Sequence, residues 1–309
     1  MKYYLGLDIG GTSLKIGYLD DSYNILFQDI YDVAFDNYDT PIIKTVKKSI
    51  KHFIDVNEID VRTLSFVGVS ATGQIDTNKG VVIGVGNNIK NWLNTNIKNE
   101  IESLLSIPTY VMNDANCMVV AEKYMGGAKG YDNVIGITIG TGVGGGIITQ
   151  GNLLLGSVGI AAEIGHMSIN FDGLQCGCKN KGCFEKYASM TALIKMVKEC
   201  YPDKSIDFNG ILIFKMAACN DEIILDCINK WISYIAFGIV NLVHIFNPEV
   251  VVIGGGVSNQ KELFLDPLNT MVKERIMYNY AKDIKIKAAT LKNNAGLIGA
   301  VAFGKELKK

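Results

Sequence analysis

Val134–Ile148 reads VIGITIGTGVGGGII: an apolar β-branched run, a glycine turn and a second run. That pattern predicts strand, turn, strand. The N-terminus carries the same device. Tyr3–Asp8 alternates apolar and polar residues, breaks at Gly10-Gly11, and resumes over Ser13–Asp20, with Ile25–Ile30 as a third strand. Glycines let a backbone approach a ligand closely and turn its N–H groups toward an anion. A tight turn with positive φ would explain either hairpin standing alone. Two copies, one domain apart, are what a duplicated fold gripping one phosphate chain from two sides carries.

The second hairpin also satisfies G-x-G-x-x-G, at Gly140, Gly142 and Gly145. A dinucleotide fold needs a helix to begin there and an acid about twenty residues on. The following GGGIITQG is strand sequence, which argues against that fold. No G-x-x-x-x-G-K-[ST] occurs, so the chain is not a P-loop protein.

A second stretch carries metal chemistry. Around Glu163–Glu185 the chain reads AEIGHMSINFDGLQCGCKNKGCFEKYAS. His166, Cys176, Cys178 and Cys183 follow H-x9-C-x-C-x4-C, using three of the seven cysteines and one of the three histidines. Such clustering suits a closed, tetrahedral, structural zinc site. The plainer alternative is three reduced cysteines beside an unrelated histidine. Zinc would fix the directions of Glu163 and Glu185, which then look like acceptors for a polyhydroxylated ligand. On composition alone those two are ordinary surface acids.

This stretch resembles the ROK family (repressors, open reading frames, kinases) of sugar kinases. The family pattern E-x-G-H, then C-x-C-G-x-x-G-C-x-E, is matched at Glu163, Gly165, His166, Cys176, Cys178, Gly182, Cys183 and Glu185. Lys179 stands where the family usually has glycine, and a non-glycine residue at positive φ is costly but not forbidden. The resemblance implies that Glu163, His166 and Glu185 contact sugar hydroxyls, with His166 binding zinc through one ring nitrogen and facing the sugar with the other. The hairpins Asp8–Thr12 and Gly140–Gly146 resemble the phosphate motifs of the actin-like ATPase and sugar-kinase superfamily. That implies a nucleotide set of Asp8, Gly10, Gly11, Thr12, Lys15, Gly140, Thr141, Gly142 and Gly144, with Asp8 holding Mg²⁺.

The other motifs fall between these. Ile42–Ile54 has apolar residues at helical spacing, with its lysines largely on the solvated face. Leu64–Ser70 is a buried strand leading into Ala71–Asp76, which resembles the family's sugar-side loop with Gly73 allowing close approach. Asn87-Asn88 are turn formers taken alone; by resemblance Asn88 contacts sugar. Thr109–Met112 is a strand ending in Asn113-Asp114 before a helix. Asp114 there is a favoured N-cap. The match to the family's N-D pair implies instead that Asp114 is the general base and Asn113 a sugar contact, with the helix dipole keeping the carboxylate ionised. Lys186–Cys200 reads as helix and Tyr201–Asn209 as a looser connection. Glu222–Phe246 reads as one long helix, stopped at Asn247-Pro248. Glu249–Ile253 is a strand opening into Gly254-Gly255-Gly256, which by resemblance line the adenosine end of the nucleotide. Ile284–Ala288 is a last strand and Asn294–Leu307 a last helix.

Composition limits the alternatives. With 309 residues, 48% hydrophobic and 20% charged, the chain is long enough for two domains. A formal net charge of −1 provides no basic field for nucleic acid or anionic membrane. Seven cysteines with no paired framework suggest a reducing compartment. Cys117, Cys200, Cys219 and Cys227 read as core residues. MKYYLGLDIGG runs straight into a strand, without a signal-peptide pattern. The apolar window Trp231–Phe246 is shorter than a membrane span and reads as a buried helix. The location expected is cytoplasmic.

The fold expected is α/β: two duplicated ribonuclease-H-like, actin-like ATPase domains with an interdomain cleft. Residues 1–116 form the smaller N-terminal domain, with a helix at about 295–309 packing back on it, and 117–294 form the larger domain with the zinc loop 166–183. The resemblance implies ATP-dependent phosphorylation of a hexose, at the C6 hydroxyl of glucose, with ATP, Mg²⁺ and structural Zn²⁺ and a homodimer. N-acetylmannosamine or another N-acetylhexosamine is the alternative substrate, since Gln74 and the Gly84-Val85-Gly86 run leave room for an acyl group. An inactive sugar sensor is a third reading. Family repressors carry an added N-terminal helix-turn-helix, and this chain opens on the first strand of the kinase body, so DNA binding is not expected.

Overall fold

The computed structural model describes residues 2–85, 89–281 and 284–308. Two compact units result, one of residues 1–126, 153–161 and 293–309, the other of 127–152 and 162–292. The expected boundary at 116/117 is corrected by this division. It falls inside a continuous helix, Asp114–Met125, whose Cys117 and Val120 are buried in the first unit's core. A helix with its apolar face already in one core cannot be cut in its first turn. The chain leaves the first unit at Gly126 instead.

The first unit is built on a five-stranded sheet. Its strands are β1 (Tyr3–Ile9), β2 (Ser13–Leu19), β3 (Ile25–Asp32), β4 (Leu64–Ala71) and, after the small hairpin β5 (Gln74–Asp76) and β6 (Val81–Gly84), β7 (Thr109–Asn113). The order is β3-β2-β1-β4-β7. The first three strands are antiparallel neighbours, while β4 and β7 run parallel to β1. Helices cover both faces, so β1 reads as an almost unbroken buried run. Leu5, Leu7 and Ile9 share a cluster with Ile42, Val46 and Phe53 of α1 (Ile42–Val56) and Ile97 and Ile101 of α2 (Ile97–Leu105). The other face meets α3 (Asp114–Met125) and the C-terminal helix. Glycine brings that last helix close: a Cβ on Gly68 would lie 2.5 Å from the Ala300 carbonyl oxygen.

The second unit repeats the plan. β8 (Val134–Ile139) and β9 (Val143–Thr149) form the hairpin, β10 (Asn152–Leu153) the edge, and β11 (Val250–Gly254) and β12 (Lys285–Ala288) run parallel to β8. The order β10-β9-β8-β11-β12 matches the first sheet strand for strand. Because an antiparallel strand follows Gly142, the dinucleotide reading of G-x-G-x-x-G is ruled out.

Around this sheet stand α4 (Glu185–Ala188), α5 (Met190–Cys200), α6 (Gly210–Ala218), α7 (Glu222–Phe246), α8 (Asp266–Arg275) and α9 (Tyr278–Ala281); α10 (Ala295–Leu307) belongs to the first unit. The single helix expected over 186–200 is two, broken at Ser189, whose hydroxyl accepts the Ala192 N–H at 3.1 Å as the cap of α5. α7 starts with Asp221 accepting the Ile224 N–H at 3.1 Å and ends at Asn247, φ +44°, ahead of Pro248. By length and composition α7 could cross a membrane, yet 56% of its most apolar window is buried inside the protein. Trp231, Ile235, Ile239 and Leu242 carry that burial. Of the four cysteines expected in cores, Cys117 and Cys227 are buried, whereas Cys200 and Cys219, each at the end of a helix, are exposed.

Candidate active site

In the first unit, a row of polar residues crosses the sheet beside the glycine turn. Asp8 pairs in register with Lys15 on β2 and with Ser70 on β4. Ser70 Oγ donates to Asp8 Oδ1 at 2.7 Å. Burial pushes the Asp8 carboxyl above the ordinary carboxylate range, against the opposing pull of the Ser70 hydrogen bond and the Lys15 charge. Lys15 Nζ donates to the Asn293 carbonyl. Gly10 N–H closes the turn on Ser13 O at 2.8 Å, Tyr38 Oη donates to Gly11 O at 2.8 Å, and Thr12 O accepts the Val33 N–H at 3.0 Å. Neither Gly10 nor Gly11 has positive φ, but a Cβ on Gly10 would lie 3.2 Å from Ser13 O and one on Gly11 3.3 Å from Ile89 Cδ1, so the turn is close-packed at both.

Asn113, not Asp114, is the N-cap of α3. It has extended backbone, φ −63° and ψ 148°, and its Oδ1 accepts the Ala115 N–H at 2.9 Å. The capping reading of Asp114 is therefore corrected. Asp114 sits in the first helical turn with an exposed side chain, its Oδ1 2.8 Å from Ala115 N. Asn113 also reaches the loop at Gly73, donating from Nδ2 to Gly73 O at 2.8 Å. Gly73 has φ +98°, and a Cβ there would meet Gly84 O at 2.6 Å, so glycine is required. Asn88 lies outside the described residues.

In the second unit the E-x-G-H segment is a short 3₁₀ turn. Glu163 caps it, its carbonyl accepting the His166 N–H at 3.0 Å. Gly165 is glycine because a Cβ would meet Val143 O at 2.1 Å, which locks the turn onto β9. His166, Cys176, Cys178 and Cys183 converge: their ligand atoms all lie within 4.8 Å of one another. His166 Nδ1 is 3.7 Å from Cys176 Sγ, and Cys178 Sγ is 3.4 Å from Cys183 Sγ. Zinc bonds of about 2.0–2.3 Å in a tetrahedron set ligand atoms about 3.3–3.8 Å apart, so the donor set fits zinc. Burial, then the Cys178 and Cys176 sulfurs, push the Cys183 thiol up to about 12. The exposed Cys178 thiol is pulled the other way, by the Asn180 N–H and then the Cys183 sulfur; a cation placed among thiols deprotonates those that bind it. Lys179 has φ +74° and Gly182 φ +70°, the two turns that fold Cys183 back to its partners. Glu185 opens α4, its Oε1 3.4 Å from Cys176 Sγ and 3.8 Å from His166 Nδ1.

The second glycine hairpin opens on a cavity of about 460 Å³ within the same unit. Gly140, Thr141 and Gly256 line it together, so the hairpin and the loop after β11 form one wall. A Cβ on Gly140 or Gly256 would meet no atom within 4 Å, and neither has positive φ. Neither packing nor backbone asks for glycine at these two positions. Gly255 has φ +94° and a Cβ there would meet Ile139 O at 2.0 Å, so it is structural. Gly254 ends β11, and Gly144 lies within β9 opposite Thr138, a strand position rather than a place in the turn. The remaining wall comes from residues that no motif marked: Met190, Thr191 and Ile194 of α5, Asn209–Ile211 and Phe214 at α6, and Val257 and Gln260.

A strand-for-strand duplicated sheet, each copy opening with a glycine hairpin, defines the actin-like ATPase fold. The ROK family pattern matches residues 4–306, and the chain belongs to that family. Glucokinase of Thermotoga maritima is 31% identical over 98% of this chain and 97% of its own length. The structure of a ROK glucokinase from Streptomyces griseus, in complex with glucose and AMPPNP, superposes with TM-score 0.84 at 31% identity, covering 98% of this chain and 99% of that one. Lmo2764 of Listeria monocytogenes, provisionally an N-acetylmannosamine kinase, superposes with TM-score 0.83 at 28% identity and 99% coverage of both chains.

Proposed function

We propose that the protein transfers the γ-phosphoryl group of ATP to a hexose hydroxyl, that on C6 of glucose. One observation carries this reading: a Cβ on Gly142 would lie 3.0 Å from Glu185 Oε2. The turn that brings Gly140 and Thr141 to the cavity therefore abuts a carboxylate suited to sugar hydroxyls. A nucleotide-binding turn and an acceptor-binding acid meet within one unit.

The chemistry follows from the residue types. The cavity takes the adenosine end. The N–H groups of both hairpins orient and neutralise the phosphates. Asp8 offers the hard oxygen donor that Mg²⁺ favours, and the cation, when bound, neutralises charge on the transferring group. Glu163, His166 Nε2 and Glu185 hold sugar hydroxyls, with Asn88 and Asn113 completing that set. Asp114 accepts the proton of the attacking hydroxyl at its carboxylate; the dipole of α3 keeps that group ionised beforehand. His166, Cys176, Cys178 and Cys183 hold zinc as a structural ion that fixes Glu185 and His166, because four protein ligands leave no open position.

N-acetylmannosamine is the second reading, supported by the likeness to Lmo2764. The test is ATP consumption against a panel of hexoses and N-acetylhexosamines with zinc retained. A response to glucose is expected. A response to an N-acetylated sugar alone transfers the reading to amino sugars, and no response to any sugar contradicts kinase activity.

A further inference from the structure

The cavity of the second unit has a wall whose polar atoms are largely engaged already. Gly140 O accepts the Met190 N–H at 2.9 Å and Thr141 O accepts Thr191 Oγ1 at 2.8 Å. Asn209 caps α6, its Oδ1 accepting the Leu212 N–H at 3.0 Å and its carbonyl the Ile213 N–H at 3.0 Å. Val257 O accepts the Gln260 N–H at 2.9 Å, and Gln260 O accepts the Leu265 N–H at 3.0 Å. Most of what else faces the cavity is apolar, Ile139, Met190, Ile194, Phe214 and Val257, with Ile211 at 85% exposure; the Thr141 hydroxyl, Asn209 Nδ2 and the Gln260 amide are the polar exceptions. An isoleucine so exposed on a cavity wall gains cover when a flat ring arrives.

Resting on the kinase reading, the geometry points to a donor site that accepts purine nucleoside triphosphates as a class, GTP and ITP alongside ATP. Apolar walls hold a ring by its area, and adenine, guanine and hypoxanthine offer similar areas. Telling them apart requires groups fixed against the ring edge. Gln260 offers both a donor and an acceptor on a terminal amide that can present either by turning over, whereas the other wall amide, Asn209, has its oxygen held in the α6 cap. Such a group suits the amino edge of adenine and the keto edge of guanine alike. A site built to hydrogen-bond one edge rejects the wrong ligand by about 10⁴–10⁵, whereas an apolar pocket discriminates by only about 10².

The test measures kcat/KM for ATP, GTP and ITP with one saturating sugar, and the affinities of non-hydrolysable ATP and GTP analogues by calorimetry. The ATP to GTP ratio is expected below about 100 in both measurements, and a larger ratio overturns the inference. Gln260→Ala is expected to change that ratio by less than about threefold, and a larger change would make Gln260 an edge reader. Ile211→Ala should weaken both nucleotides together by roughly threefold to tenfold, the loss of a few methylene groups of contact; weakening of ATP alone contradicts the inference. Absence of turnover with all three nucleotides would count against the kinase reading, while the calorimetric ratio would still decide the question of the base.

Discussion

Gly142 and Glu185 face each other in the second unit so closely that a Cβ on Gly142 would come 3.0 Å from Glu185 Oε2. One methyl group placed there must push the carboxylate aside. Gly142→Ala should raise the sugar KM by roughly threefold to tenfold, since a misplacement of about 1 Å can cost about 100-fold and this carboxylate need yield less than that. The thermal midpoint should change by less than about 2 °C, because the turn is at the surface and the carboxylate can yield. Unchanged sugar KM in this variant would separate Glu185 from the acceptor.

Metal removal tests the loop that holds Glu185 and His166. Chelation at neutral pH should lower the thermal midpoint by at least about 5 °C and raise the sugar KM by about 10–100-fold, with nucleotide affinity changed by less than about threefold. Metal analysis of the purified protein should return one zinc per chain. Protein without zinc that loses nothing on chelation contradicts the assignment.

Lys179 marks a strained turn in the same loop. At φ +74° a lysine gives up roughly 1 kcal/mol relative to glycine. Lys179→Gly should therefore slow zinc release to a competing chelator and raise the midpoint slightly, with activity unchanged. Faster release would mean that the lysine side chain supports the loop in a way its backbone angle does not reveal.

Alkaline stability should depend on Tyr23. Burial, helped by the Glu306 and Asp21 charges, pushes its hydroxyl up to about 12 in the folded chain. The folded state then holds the proton more tightly than the unfolded state. This contribution is fully present below the ordinary tyrosine value near 10 and is lost as pH rises through about 12. Tyr23 also packs on Tyr124, with ring centroids 6.0 Å apart, and lies under Lys305 Nζ at 4.5 Å. Midpoints measured from pH 9 to 12 should fall steeply in the wild type and less steeply in Tyr23→Phe. Parallel curves would remove Tyr23 from the alkaline transition.

The duplicated hairpins and the His-Cys cluster were legible because each is local: strand, turn, strand in one case, four ligands within a short loop in the other. What depends on distant packing was not. Asn113 and Asp114 are both favoured caps, and the choice between them lies in backbone angles that put Asn113 in the extended region. The glycine run after Gly140 does not distinguish turn from strand in sequence, whereas in the structure Gly144 lies in β9 and pairs with Thr138 of β8. Met190, Phe214 and Gln260 come from three separate segments and share no spacing, so the cavity they line has no sequence signature. The end of the first unit lies beyond the strand-to-helix junction because α3, buried from Ala115 to Glu122, packs on α10, far along the chain.

The central claim is that Asp114, exposed in the first turn of α3 beside the Asn113 cap, takes the proton of the acceptor hydroxyl. Asp114→Asn keeps the shape and removes the base. The direct measurement is kcat with the best sugar of the panel beside the dissociation constant of that sugar. The account predicts that kcat falls by about 10²–10⁴-fold while the dissociation constant stays within about threefold. Turnover within about tenfold of wild type would show that another group accepts the proton.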